Sequence, residues 1–195
     1  MAIPLRQVRA AFDDSTITVY QAYSPEIADA ALAAGRFVSP FSRSRMTWVK
    51  PSFLWMMYRC GWATKPGQER VLAVRLSRTG FEQALSLACL SHFDPAVYPD
   101  HDAWQRRKET SPVRVQWDPE RTAALDPLPW RSLQVGIGGD AVDRYVDDWV
   151  VDLHDVTPRV HQLAALSSPE RVDLPAERPY PLPADLAGII GVSPA

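Results

Sequence analysis

The segment TITVYQAYSPEIADAALAAG, residues 16–35, predicts a β-strand that runs directly into an α-helix. Its first part, from Thr16 to Ala22, alternates β-branched and aromatic residues, which is typical of a strand. Ser24 is the expected N-cap of the helix, Pro25 its first residue and Gly35 its end. All of these signals lie within the segment itself. They therefore predict one strand–helix unit, which serves as the starting point for the rest of the fold.

The remainder of the chain predicts further strands with helices inserted unevenly between them. Alternating apolar residues place these strands near Val71–Leu76, Val113–Trp117, Arg131–Ile137 and residues 150–156. About five strands with irregularly spaced helices favour an α+β fold, with a mixed or antiparallel sheet, over a regular α/β alternation. We expect residues 1–168 to form a single domain. Residues 169–195 are rich in proline and predict an extended or partly disordered tail.

The composition is that of one globular domain. The chain has 195 residues, of which 46% are hydrophobic, enough for one sizeable core. No apolar run approaches the roughly 18 residues of a membrane-spanning helix, and the N-terminus lacks a signal-peptide pattern. We therefore expect a cytoplasmic protein that does not bind membranes. Cys60 and Cys89 lie in apolar surroundings and predict reduced core residues, and the histidine spacing matches no zinc site, so no metal is expected.

Charge is distributed unevenly along the chain. Residues 36–78 contain nine cations and one acid, Glu69, for a net charge of +8, whereas residues 139–195 carry −6. A positive segment favours a phosphate-bearing partner. Alternatively, the two segments pair with each other across the fold. The sequence leaves both readings open.

The stretch RMTWVKPSFLWMMYRCGW, residues 45–62, combines aromatic residues, methionines and cations. Pro51 can begin a helix that runs to about Cys60, and its aromatic face, which also carries Arg59, is most simply a core face. Lys50 lies beside the start of this helix, where backbone N–H groups and the helix dipole favour an anion. The first six residues, RMTWVK, are therefore the predicted location of a site.

Several phrases of the sequence together closely resemble a bacterial and fungal family known as domain of unknown function 4291. They are VYQAYSPEIADAAL, the block RMTWVKPSFLWMMYRCGW followed by KPGQERVLAV, VRVQWDPER and RSLQVGI. The resemblance covers about Val8 to Leu166. It implies membership of that family but no particular chemistry.

A shorter stretch, VYQAYSPEIADAALAAGRF, is similar to the first strand and helix of ADP-ribosyltransferase-like proteins. In that family, a His or Arg after the strand-end tyrosine holds NAD, and here Gln21 occupies this position. A later strand of the family carries a catalytic glutamate, for which RSLQVGI offers Gln134. The resemblance implies an NAD-binding fold, whereas both departures argue against the standard transferase chemistry.

These observations lead to one principal hypothesis, a nucleotide-binding protein of the NAD type, or a transferase of ADP-ribose to nucleic acid or protein. Gln134 or Glu120 would act at the reacting centre. The expected ligand-binding residues are Tyr20, Gln21, Tyr23, Arg43, Arg45, Trp48, Lys50, Arg59 and Arg70. The alternatives are a non-catalytic RNA or single-stranded nucleic-acid binder that uses the same cations, and a purely structural or interaction domain.

Overall fold

The computed structural model describes residues 3–167 and 173–193. The strands in this part of the chain are β1 (Arg9–Ala10), β2 (Thr16–Tyr23), β3 (Thr47–Val49), β4 (Arg70–Ser77), β5 (Ala88–Leu90), β6 (Val113–Arg121), β7 (Pro127–Ile137), β8 (Val150–Asp155) and β9 (Arg178–Pro179). The helices are α1 (Pro25–Ala34), α2 (Phe53–Cys60), α3 (Arg78–Ser86), α4 (His101–Thr110), α5 (Ala141–Arg144), which continues as one π-helical segment (Tyr145–Trp149), α6 (Thr157–Ala165) and α7 (Ala184–Ile190).

The strands form three sheets. One has the order β2-β4-β8 and is antiparallel throughout, and another has the order β3-β7-β6-β5 and is mixed, because β5 runs parallel to β6. The third is a short β1-β9 pair. The predicted α+β class is confirmed. The expected number of strands was too low because strands of two or three residues, such as β1 and β5, are too short to show an alternating pattern.

Within the described residues, the backbones of the two larger sheets are hydrogen-bonded to each other at one pair of residues. Tyr20 N–H donates to the Lys50 carbonyl at 2.7 Å, and Lys50 N–H donates back to the Tyr20 carbonyl at 3.2 Å. Beyond this bridge β2 and β3 separate, because β2 continues along β4 while β3 pairs with β7. The division of the sheets leaves a gap beside β3.

Helices α1 and α2 differ in how closely they follow the sequence prediction. Helix α1 begins at Pro25 after Ser24 and ends at Gly35, as predicted. Helix α2 begins later than expected, since the Ser52 side chain, rather than Pro51, marks its N-terminus. The core interpretation is confirmed for Phe53, Trp55, Met56 and Met57, which are buried, whereas Tyr58 and Arg59 are exposed. Trp62 lies past the end of the helix, with a φ of 56°.

The described part of the C-terminal segment, residues 173–193, packs on the domain. Strand β9 pairs with β1, and Tyr180 and Ile190 are buried in the main apolar core. The prediction of an extended tail is therefore wrong for residues 173–193. The apolar residues that lie between the prolines are spaced so that they reach the core. The predicted boundary between residues 168 and 169 lies outside the described residues. No helix in the described ranges is long and apolar enough to span a bilayer.

Candidate functional site

A cavity of about 610 Å³ opens where β2 and β3 separate. This volume lies within the range of roughly 300 to 1,000 Å³ that is usual for small-molecule sites. We call it the basic cavity. Its lining combines cations, amides and aromatic rings, chiefly Arg45, Lys50, Arg59, Gln21, Gln68, Gln116, Gln134, Tyr23, Phe41 and Trp48.

The charges in this lining are all of one sign. Arg45, Lys50 and Arg59 contribute three cations, and no carboxylate among the described residues lines the cavity. Arg45 and Arg59 are exposed, and neither guanidinium has a hydrogen bond or an ion pair within residues 3–167 and 173–193. Three cations without counter-ions create a positive potential that favours an anion.

Lys50 is the buried cation of the three. Its relative exposure is 5%, and within the described chain its ammonium has neither a hydrogen bond nor an ion pair. Burial lowers the pKa of Lys50 to about 8, and the positive charge of Arg59 contributes in the same direction. Asp118 and the Cys60 thiol act in the opposite sense on that pKa. An amine with this pKa exchanges its proton close to neutral pH.

Gln21 connects the two strands beyond the point where their backbones separate. Its Nε2 donates to Thr47 Oγ1 at 2.6 Å and to the Trp48 carbonyl at 3.2 Å, and its Oε1 accepts a hydrogen bond from the Tyr145 hydroxyl at 2.5 Å. The Tyr23 hydroxyl lies 2.8 Å from Thr47 Oγ1. Both N–H groups of the Gln21 amide are therefore used within the protein, and this residue shapes the wall of the cavity.

Trp48 lies directly over the backbone of β7. A Cβ atom at Gly136, its partner in the β3–β7 pair, would come within 2.8 Å of the Trp48 ring and 2.7 Å of Met46 Sδ. Only glycine leaves room for the indole at this position. The ring thus packs closely against the backbone of β7, and Trp48 is part of the cavity lining.

Two glutamines and an aspartate occupy neighbouring positions on β6 and β7. Gln116 and Gln134 are paired across the strands, and their Nε2 atoms donate to Asp118 at 2.8 and 2.6 Å. Each amide keeps a second N–H and a carbonyl oxygen that can meet a ligand. Gln134 therefore lines the basic cavity, as the hypothesis requires, but one of its N–H groups is already donated to the carboxylate of Asp118.

Two predicted ligand-binding residues, Arg43 and Arg70, lie outside the basic cavity and form ion pairs. Arg43 lies 2.8 Å from Asp143 and 2.6 Å from Asp147, and Arg70 lies 3.2 Å from Asp155 as well as 3.0 Å from Asp29. For these arginines the alternative reading is correct, since the positive and acidic segments pair across the fold. Arg45, Lys50 and Arg59 take no part in this pairing within the described part of the chain.

Tyr20 also lies away from the cavity. Successive residues of a strand face opposite sides of the sheet. Gln21 and Tyr23 face the cavity, whereas the Tyr20 ring packs edge-on against Phe53 with 5.3 Å between the ring centroids. Tyr20 therefore belongs to the core beneath α2.

Glu120 lines a separate cavity of about 230 Å³ at the start of α2, together with Glu177, Ser52 and Phe53. We call it the carboxyl cavity. The register of β6 shifts between Pro119 and Arg121, and such a bulge redirects a side chain. The structure therefore does not bring Glu120 and Gln134 into one site.

The two carboxyl groups of this cavity are held by donors of the protein. Ser52 Oγ donates to Glu120 at 2.8 Å, and the backbone N–H of Phe53 donates to Glu177 at 2.7 Å. Burial raises the pKa of Glu120. Burial and then the nearby charge of Glu120 raise the pKa of Glu177 to about 8. The pair is therefore disposed to hold at least one proton at neutral pH.

A comparison with models of protein families matches residues 7–180 to the family described as Domain of unknown function (DUF4291). This chain belongs to that family. A search of curated proteins found no match. The resemblance to domain of unknown function 4291 is thus confirmed, whereas the likeness to ADP-ribosyltransferases stays a prediction.

In this DUF4291 chain, sequence reasoning missed Gln116, Thr47, Tyr145 and Glu177. One signal for Gln116 was available, because a β6–β7 hairpin that aligns VRVQW with SLQVG puts Gln116 opposite Gln134. No local signal identifies Tyr145, since its contact with Gln21 joins residues 124 positions apart. Glu177 falls in the segment that was predicted to be a tail.

Proposed function

We propose that this protein binds a nucleotide of the NAD type in the basic cavity. In this proposal Arg45 and Arg59 contact the phosphates, and Trp48 stacks on a ring of the ligand. The observation that carries the proposal is the lining itself, in which three cations line a cavity without an accompanying acid. Charge-assisted hydrogen bonds from arginine are the usual means of holding phosphate oxygens.

Amides and rings in the same lining favour a nucleotide over bare phosphate. Gln116 and Gln134 each retain donor and acceptor capacity for hydroxyl groups of a sugar or the edge of a base. Trp48 and Phe41 supply aromatic surface. Such a mixture of apolar surface and a few polar groups is typical of small-molecule sites.

ADP-ribosyl transfer is the reaction that the second resemblance implies for this family member. The transferase position corresponds to Gln134, whose amide binds Asp118. The proposal therefore commits to binding, and transfer is tested separately as release of nicotinamide from NAD with candidate protein or nucleic-acid acceptors.

A single-stranded nucleic acid is the second candidate ligand. It is favoured by the exposure of Arg45 and Arg59, since a strand that crosses the opening would meet both guanidiniums. Base stacking on an aromatic residue such as Trp48 is worth about 1 to 3 kcal/mol. Binding of this kind weakens steeply with salt.

Binding is tested by measuring the melting temperature and the dissociation constant with NAD, ADP-ribose and a single-stranded oligonucleotide. A ligand that binds the folded protein raises the melting temperature by mass action. We expect stabilisation by NAD or ADP-ribose, and an affinity about tenfold weaker in Arg45→Met and Arg59→Met, because each loses a charged hydrogen bond worth about 1.5 to 3 kcal/mol.

Arg106→Met is the matched control, because it removes the same charge from the exposed face of α4, outside the cavity lining. It should leave the affinity unchanged. Stabilisation by the oligonucleotide alone, with steep salt dependence, would favour the second candidate. No shift with either ligand would overturn both.

A further inference from the structure

The basic cavity contains two kinds of cationic group. Arg45 and Arg59 are exposed and keep their charge at any physiological pH, whereas Lys50 is buried and can give up its proton. The permanent charges thus lie at the open side of the cavity and the titratable amine lies at its inner end. This separation suits a ligand that is anionic at one end and reactive at the other.

The environment of Lys50 is that of a nucleophilic amine. Its ammonium has no carboxylate partner in the described chain that would keep it protonated. The charged and titratable groups that act on it are Arg59, which disfavours its proton, and Asp118 and Cys60, which favour it. Lysines activated by burial and a neighbouring cation are known as nucleophiles toward carbonyl groups.

We propose that the Lys50 amine forms an imine with a phosphorylated aldehyde bound in the basic cavity. The ring-opened ribose of ADP-ribose belongs to this substrate class, and so do simpler sugar phosphates. The inference rests on the proposed function, since it uses the same cavity and the same two arginines for the anionic end.

The reaction balances within the site. The lone pair of Lys50 Nζ attacks the aldehyde carbon, and the carbonyl π bond opens to give a carbinolamine. Its hydroxyl group then leaves as water, which carries away the carbonyl oxygen and both hydrogens of the neutral amine, and a C=N bond remains. No oxidant or further reactant is needed.

Gln116 and Gln134 are positioning residues in this scheme. Their amides line the same cavity and are oriented by Asp118, each with one N–H left over. These N–H groups can donate to the carbonyl oxygen and to the hydroxyl of the carbinolamine, which holds the aldehyde in place for attack.

The chain provides its own controls, because Lys65 and Lys108 are its other lysines. The Lys65 ammonium donates to backbone carbonyls at the end of α2, and the Lys108 ammonium lies over the Trp104 ring. Neither lysine lines the basic cavity. Both react with the aldehyde in the same sample, so their labelling can be compared directly with that of Lys50.

The test treats the intact protein with ribose 5-phosphate and sodium cyanoborohydride, which reduces an imine to a stable secondary amine. Peptide mass mapping then follows the labelling of each lysine. At pH near 7.5 an amine of pKa about 8 has on the order of 100-fold more neutral form than an ordinary lysine. We expect Lys50 to be labelled about tenfold faster or more, with a rate that rises through pH 8 and is suppressed by NAD.

Several outcomes separate this inference from the proposed function. Equal labelling of the lysines, or no adduct on Lys50 while NAD still raises the melting temperature, would overturn the imine and leave nucleotide binding intact. Ribose 5-phosphate should label Lys50 faster than unphosphorylated ribose does at equal concentration, and equal rates with the two sugars would contradict the role of the arginines. Lys50→Arg should form no adduct at this position, while Lys65 and Lys108 are labelled as in the wild type.

Discussion

The segment from Lys50 to Phe53 contributes to both the basic cavity and the carboxyl cavity, yet the Lys50 ammonium of the first and the two carboxyl groups of the second are in opposite situations. Lys50 lines the first, and Ser52 and Phe53 line the second. In the carboxyl cavity, Glu120 and Glu177 accept hydrogen bonds from these two residues. In the basic cavity, the Lys50 ammonium has no such partner in the described chain.

This difference indicates which cavity is available to a ligand. A buried polar group that is satisfied by the protein serves the fold, whereas a buried charge left without a partner costs free energy unless something else pairs with it. Ser52 and Phe53 already use the carboxylates to begin α2 and to dock the segment around Glu177. The unpaired cations of the basic cavity have no comparable structural use, and this is the reason for placing the proposed ligand there.

The largest effect on stability is expected from a substitution that disrupts the wall of the basic cavity. Gln21→Leu removes three hydrogen bonds and leaves buried groups of Thr47 and Tyr145 without their partner. We expect the free energy of unfolding to fall by about 3 to 4 kcal/mol in urea denaturation. Gln68→Leu, in the same lining, should change it by less than about 0.5 kcal/mol. Equal effects would mean that Gln21 does not hold the wall.

The next prediction concerns a substitution that removes the titratable group of Glu177 from the carboxyl cavity. The folded-state pKa of Glu177 is about 8 against an ordinary value of 4.5. Its contribution to stability is therefore complete below pH 4.5 and is lost as the pH rises to 8, because the unfolded chain releases the proton first. Since part of this residue stays accessible, we expect Glu177→Gln to be more stable than wild type by about 3 kcal/mol near pH 9.

The pH profile checks this assignment. Near pH 4 the Glu177→Gln variant and the wild type should have the same free energy of unfolding, because both carry a neutral side chain there. Glu26→Gln, on the exposed side of α1, should follow the wild-type profile throughout. A constant difference between Glu177→Gln and wild type at every pH would show that packing, and not charge, is responsible.

The comparison of the cavities also shows what a sequence can and cannot predict. The boundaries of α1 were predictable because Pro25 and Gly35 act within their own turns. Arg43 and Arg45 lie in one basic run, but only Arg43 meets aspartates, and these lie 100 or more positions away. A local pattern contains no information about which arginine is left unpaired.

Glu120 shows a second reason why the site could not be predicted fully from the sequence. Strict alternation along β6 places it on the face of Gln116 and Asp118, toward the basic cavity. The bulge between Pro119 and Arg121 turns it toward Ser52 instead. A bulge depends on the length of the partner strand as well as on the local sequence, so alternation alone could not predict the separation of the two cavities.

The third prediction removes the unpaired charge of the basic cavity. The folded-state pKa of Lys50 is about 8 against an ordinary 10.5, so its charge destabilises the fold below pH 8. Between pH 8 and 10.5 the unfolded chain binds more protons and wild-type stability rises. The full pKa difference corresponds to about 3 kcal/mol, but Lys50 lines a cavity that solvent can enter, which screens its charge. We therefore expect Lys50→Met to be more stable than wild type by about 2 kcal/mol near pH 7, with no difference above pH 10.5. Differential scanning calorimetry of both proteins between pH 7 and pH 10.5 and above measures this difference in stability.

Lys108→Met is the matched control for this change, since it removes the same charge from the ring of Trp104. It should give no gain in stability at any pH, because that contact is worth up to about 1 kcal/mol in favour of the fold. A gain as large as that of Lys50→Met would show that overall charge, rather than burial in the cavity, determines the result.

The smallest expected effect lies at the boundary between the cavities. Ser52 Oγ accepts a hydrogen bond from Trp55 N–H at 3.1 Å and donates to Glu120. Ser52→Ala should lower the free energy of unfolding by about 1 kcal/mol, the usual cost of losing an N-cap, while Ser52→Thr should restore most of it. NAD affinity should stay unchanged, because this hydroxyl serves only the carboxyl cavity. If the affinity of Ser52→Ala fell about tenfold, as expected for Arg59→Met, the two cavities would be coupled through the start of α2 and their contrast would not hold.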